Sequence, residues 1–404
     1  MVGTLRILWD YLRITLKSQY KWLLLLYLLW AYRVGFMPAD EGGFARALQT
    51  GCLIGMAYYF NRFTPGIFVS TFKNTNKPVK YTYFLYLFAT ISAIWSFMPM
   101  FSAYLALQNI VLLCGMIWLF SQFDTFEEVE KSFLVFALLI LLFDFVGWRV
   151  FREPWTLFSH HLTNGSSAAM IISYCVAELL AIRQRTSSRK PLLKGMLIVS
   201  IIIIVLCTSS GANASAIFGV GVGVLISGKI FWASLLFVGA FTLYLNQEMI
   251  DQLILFIMPG KTKATIETST GRTSLWNVIY DLAAQKPWFG WGYACVERVA
   301  SLSRRIKSPD AHNNYIGLYG GLGYVGSAIA YFSFATTLFY SWKRRLRPGY
   351  KGIIAAFCCA LLNGYSYGFL AGKACNITVV CFALVALTYC YSIVPLEEDD
   401  EKSE

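Results

Sequence analysis

Long apolar runs alternate with shorter polar connections from one end of this chain to the other. Each run is of the order needed to carry a helix across roughly 30 Å of hydrocarbon. The pattern predicts spans over residues 22–36, 45–60, 81–97, 104–120, 132–148, 167–182, 195–208, 212–227, 230–245, 313–339, 352–370 and 377–394. The first run lacks a short apolar core followed by a small-residue cleavage site, so it is expected to be a retained span rather than a signal peptide. The prediction is an all-α polytopic membrane protein of about twelve helices, with one large loop between the ninth and tenth. It divides into a membrane portion over 1–245, the loop over 246–312, further spans over 313–394 and an acidic tail over 395–404.

Charge sets the orientation. The connections after the second, sixth and tenth spans carry Arg62, Lys73, Lys77 and Lys80, then Arg183, Arg185, Arg189, Lys190 and Lys194, then Lys343, Arg344, Arg345, Arg347 and Lys351. Cations gather on the cytoplasmic side of short loops. Both termini therefore face the cytoplasm, and the long loop faces outward toward a periplasm. The same distribution accounts for the formal charge of +12 without nucleic acid as a partner. With 57% hydrophobic and 14% charged residues, ordinary soluble domains are excluded. There is no internal repeat of the kind many transporters carry.

Most cysteines sit inside apolar runs (Cys114, Cys175, Cys207, Cys358 and Cys359), where the side chain behaves as a small hydrophobe. Cys295 and Cys375 fall in expected outer loops, and a disulfide between them is left open. No Cys-x-x-Cys pair points to a metal or redox site.

The outer loop holds the polar chemistry. Residues 273–286 read as a short helix with Leu275, Ile279 and Leu282 on one face; Pro287 stops it, and Gly290 and Gly292 permit a sharp return. Lying on the bilayer, it would hold Arg272 at its N-terminal end near headgroup depth, where a guanidinium can grip phosphate oxygens with two parallel bonds. Snorkelling to lipid headgroups is the plainer role for the same residue. Ser308-Pro309-Asp310 reads as the start of the next helix, with His312 in its first turn. There the helix dipole would favour the neutral imidazole that a general base requires, against the pull of Asp310 two residues away; a plain interfacial histidine is the alternative. Arg149 and Arg152, from a neighbouring outer loop, add positive charge that would draw an anion. The glycines Gly317, Gly320, Gly321, Gly323 and Gly326 read as close helix packing. No metal-ligand spacing, Gly-x-Ser-x-Gly elbow or phosphate loop appears.

These residues fall into a familiar order. Gly271-Arg272-x-x-x-Trp276, then Pro287-x-x-Gly290-x-Gly292, then His312-Asn313-x-Tyr315 resembles the O-antigen ligase and polymerase superfamily of bacterial envelope glycosyltransferases. His312-Asn313 followed by nine residues, Gly323, two residues and Gly326 resembles the pattern of the ligases. The resemblance implies a GT-C-like fold in the bacterial inner membrane, with the active site facing the periplasm. It also implies metal-independent, cofactor-free transfer of glycan from undecaprenyl diphosphate to a sugar hydroxyl of lipid A–core. Arg272 would hold the diphosphate and His312 would act as base, with Asn313, Arg149 and Arg152 as further substrate-binding residues.

Two positions depart from the family pattern. Gly211 stands where a second arginine is expected after Ser209-Ser210, and Gly326-Ser327-Ala328 replaces the usual Gly-Thr-Thr. The polymerases are associated with Arg-x10-Gly, which is absent: Ala283, Pro309, Tyr315 and Ile316 lie eleven residues after Arg272, Arg298, Arg304 and Arg305. The ligase is therefore the first expectation and the polymerase the second. Transfer to a protein hydroxyl is a third. A transporter or flippase would need ionisable groups near mid-membrane, and the spans are nearly free of charge.

Overall fold

The computed structural model describes residues 51, 54–58, 61–62, 64–150, 161–182, 187–207, 209–229, 252, 272–303, 311–372 and 375–395, with backbone alone at 143–150 and 161–162. The expected spans at 22–36 and 230–245, most of that at 45–60, Arg152, residues 304–310 and the acidic tail lie outside these residues. Arg149 lies in a helix whose backbone alone is described there.

The described residues form helices and no strand. In chain order they are α1 (Ile67–Asn74), α2 (Lys77–Ile91), α3 (Pro99–Phe120), α4 (Phe126–Val150), α5 (His161–Ala181) and α6 (Arg189–Cys207). There follow α7 (Ser210–Ile226), α8 (Arg272–Gln285), α9 (Val296–Leu302), α10 (Asn314–Lys343), α11 (Tyr350–Asn363) and α12 (Asn376–Ile393). Of these, α3, α6, α10 and α12 are long and apolar enough to cross a membrane. The protein is an all-α membrane protein.

Small residues let the central helices approach closely. A Cβ on Gly219 of α7 would lie 2.2 Å from Ser173 Oγ on α5 and 2.7 Å from Cys359 Cβ on α11. One on Gly223 would lie 3.0 Å from Ala177 Cβ. Such contacts are how membrane helices gain packing energy where no hydrophobic effect drives them together. They align α5, α7 and α11 with Ser166, Gly211 and Asn363 at one end and Glu178, Gly223 and Gly349 at the other.

The second end is tied by charge. Arg189 donates from Nε to Glu130 Oε2 (2.6 Å) and from Nη2 to Glu130 Oε1 and Glu178 Oε2 (2.7 Å each). All three are almost fully buried. Glu178 accepts the backbone N–H groups of Gly349 and Gly352, 2.8 Å each, at the start of α11. Tyr174 donates to Glu130 at 2.8 Å and pairs with Tyr391 at 2.8 Å. Every charge is thus bonded, as burial demands. Four of the cations read as cytoplasmic (Arg189, Lys343, Arg344 and Arg345) belong to the connections at this end.

The first end gathers the turns between α2 and α3, α6 and α7, α8 and α9, and α11 and α12. Ser102 Oγ donates to Tyr293 O at 2.7 Å, and Tyr293 N to Ser92 Oγ at 3.0 Å. The thiol of Cys295 lies 3.2 Å from the hydroxyls of both Ser96 and Ser102, and Cys375 lies 3.3 Å from Thr378 Oγ1. Both cysteines are free and buried, so the disulfide left open by the sequence is not formed.

Candidate functional site

The helix predicted over 273–286 is α8, shifted by one residue and opening on Arg272. Its apolar face follows the expected spacing: Ile279, Leu282 and Ala283 are buried. They pack with Val296, Ala300, Ala311 and Ile316, joining α8 and α9 to the start of α10. Arg272, half-buried, donates from Nη1 to the carbonyl of Ser366 at 2.9 Å. One turn along, Trp276 donates from Nε1 to the carbonyl of Ala311 at 2.9 Å.

His312 is not in the first turn of a helix. α10 begins at Asn314 with Asn313 as its cap, whose side-chain oxygen accepts from the backbone N–H groups of Tyr315 (3.0 Å) and Ile316 (3.2 Å). One amide oxygen thereby satisfies two of the first N–H groups of α10, and the helix starts there. His312 therefore sits just before the cap, in the left-handed region with φ of 49°. That conformation is uncommon for a side chain other than glycine, although histidine enters it more readily than most. Its ring lies 6.3 Å from the ring of Tyr367, centroid to centroid. Asn313 is buried at 3% exposure, and its amide oxygen is committed to the cap.

Arg272 and His312 thus meet consecutive residues, Ser366 and Tyr367, of one segment. That segment, 364–372, was expected to be the end of an apolar span, but α11 stops at Asn363. It continues as non-helical chain whose Phe369, Leu370 and Ala371 are buried. Buried backbone must find partners, and here it does. Asn314 donates from its N–H to Gly364 O at 2.7 Å and accepts Leu370 N–H at 2.8 Å on its side chain. The Tyr293 hydroxyl lies 2.8 Å from the carbonyls of both Leu370 and Gly372, and Asn109 donates to Tyr293 at 3.1 Å. Burial pushes the Tyr293 phenol above its ordinary range, so it remains a donor.

Sequence reasoning missed Ser366 and Tyr367. The signal was present in Asn363-Gly364-Tyr365-Ser366-Tyr367-Gly368, too polar and glycine-rich for the end of a span. Gly211 also reaches this segment: a Cβ there would lie 2.3 Å from Ser366 Oγ. The position where a second arginine was expected is filled by close backbone packing beside the carbonyl that holds the first.

The glycines of α10 do more than permit close packing. Gly323 has φ of 67° and ψ of −163°, which interrupts the helix. The 287–292 turn completes the broken ladder from outside. Trp291 and Gly292 donate to the carbonyls of Gly320 (3.0 Å) and Gly321 (2.8 Å). Tyr324 and Val325 donate to the carbonyls of Pro287 (2.8 Å) and Trp288 (3.1 Å). Four bonds satisfy the groups the break exposes, as a helix in hydrocarbon requires. A Cβ at Gly290 would lie 2.4 Å from Gly321 O and one at Gly323 2.4 Å from Trp288 O, so the approach needs glycine on both the turn and the helix. Spacing that read as three separate motifs is one object: a helix bearing Arg272, a turn that mends a span, and the span that begins beside His312.

A search of curated proteins gave no match. Residues 195–331 match a family model described as O-antigen ligase, a stretch that holds Gly211, Arg272, His312 and Gly323 but ends before Ser366. The match supports the resemblance of this region to the O-antigen ligase and polymerase superfamily.

Proposed function

We propose that the protein is an O-antigen ligase, a glycosyltransferase that moves glycan from undecaprenyl diphosphate to a sugar hydroxyl of lipid A–core. The observation that carries the reading is the convergence of Arg272 and His312 on neighbouring residues of one non-helical segment, 364–372. In this reading the twelve spans lie in the bacterial inner membrane, and the loop between the ninth and tenth faces the periplasm. Support comes from the turns expected outside, which lie together at the end of the bundle away from Arg189.

The chemistry needs few groups. His312 takes the proton of the acceptor hydroxyl as its oxygen attacks the anomeric carbon. The new carbon–oxygen bond forms on the face opposite the departing diphosphate, so the configuration inverts. The old bond breaks with its electron pair leaving on the diphosphate oxygen. Arg272 meets the charge that develops there, as a cation held in place by Ser366. Asn313 contributes by fixing the helix start after His312. Arg149 and Arg152 would add to the positive field around the donor.

The test is reconstitution in vesicles with lipid-linked glycan and core acceptor, without nucleotide or added metal. Glycan should appear on the core. Growth of the chain on the lipid carrier would instead identify a polymerase, and glycan crossing the vesicle without a new bond would identify transport. His312→Ala should reduce transfer by about 10²–10⁴-fold, the range for loss of a general base, with the protein still inserted. Near-normal transfer by that variant would remove His312 from the chemistry.

A further inference from the structure

We infer that Trp276 is a positioning residue for His312: its indole N–H holds the backbone of Ala311 and so fixes the imidazole for the transfer step. This rests on the ligase reading and extends it to a residue that acts through His312.

The bond runs from Trp276 Nε1 to Ala311 O at 2.9 Å. Ala311 directly precedes His312 and is 1% exposed, so its carbonyl has little water to turn to. The peptide that follows this carbonyl carries the His312 nitrogen, and the next dihedral is the left-handed φ of 49°. A residue held there tends to relax unless its surroundings determine it. On the far side the chain is fixed by the Asn313 cap and by Asn314, which bonds Gly364 and Leu370. On the near side the indole supplies the hold. It comes from the same helix as Arg272, four residues on, so both lie on one face of α8. A single rigid element therefore sets one group directly and the other through a carbonyl. Reacting groups displaced by about 1 Å lose on the order of 10²-fold in rate.

Packing is the competing role, because the Trp276 ring also borders the cluster of Ile279, Ala311 and Ile316. Trp276→Phe separates the two: it deletes the N–H and leaves an aromatic ring. In the vesicle assay kcat should fall about tenfold or more, while KM for the lipid-linked donor and for the acceptor stays within about twofold. Amide exchange read at 311–314 should quicken by about two- to tenfold, the worth of one neutral hydrogen bond, with the amides of α8 unchanged. Ala311→Gly, which keeps the carbonyl but loosens its backbone, should give the same split even if Trp276→Phe proves too unstable to purify.

An unchanged kcat in either variant overturns the proposal. So does a loss shared equally between kcat and both KM values with a lowered melting temperature, which marks packing alone. Faster exchange with full activity would show that the bond holds the segment but does not serve the reaction. Failure of the ligase reading is a separate result: the unmodified protein would transfer no glycan, whatever Trp276 does to exchange.

Discussion

At the scale of the residue, the site depends on donors whose geometry matters more than their charge. Arg272 spends one N–H on Ser366, which orients the guanidinium. Arg272→Lys keeps the charge but loses the planar fork and the bond to Ser366. Donor kcat/KM should fall by about ten- to a hundredfold, the range for a hydrogen bond to a charged group, measured with acceptor saturating. The same residues show what a sequence can reveal. Arg272 was legible because a charged side chain beside a bilayer calls for a reason. The segment around His312 was only half legible, since the cap was sought at Ser308 and belongs to Asn313. Ser366 was hidden, because its contribution is a backbone carbonyl and a carbonyl leaves no mark on composition.

At the scale of the element, the periodic stretches were readable and the broken one was not. Leu275, Ile279 and Leu282 gave the bounds of α8 to within one residue. The run through Gly320 and Val325 gave no hint of its break, because it is apolar throughout and its missing bonds come from a turn some thirty residues earlier. Gly323→Ala tests that account. The added Cβ would stand 2.4 Å from the Trp288 backbone at a φ of 67°, so either the turn withdraws or the helix straightens. The strain alone should cost about 1–3 kcal/mol, read as a lower melting temperature in detergent. Loss of the turn should also expose amides 291–292 and 324–325 to exchange. Ala in place of Gly221, which has open space around it, should be nearly neutral in the same assay.

At the scale of the molecule, two ends of the bundle are held by different physics. One is a mesh of backbone groups around residues 364–372. The other is the ionic knot of Arg189, Glu130 and Glu178. The helical class and the membrane setting were plain from apolar run length alone. The knot was not: Glu130 and Arg189 looked like members of solvated loops, and only folding shows that they are buried together. Arg189→Met removes the cation and leaves two buried carboxylates facing each other. Loss of a partner from a buried pair costs roughly 3–5 kcal/mol, so this variant should unfold at a clearly lower temperature. Its transfer activity, measured below that temperature, should remain within about threefold, because the knot lies at the end of the bundle away from Ser366 and Tyr367.

The mended break in α10 also bears on how the chain is made. A span with four unpaired backbone groups is poorly suited to hydrocarbon, so α10 cannot settle in the bilayer as a finished helix by itself. Its missing partners sit in residues 287–292, which are synthesised first. In the proposed topology that turn crosses the membrane first and waits at the far surface before α10 arrives. Delay its export, and the late span would linger at the insertion machinery, exposed to quality-control proteolysis, although its own sequence is intact.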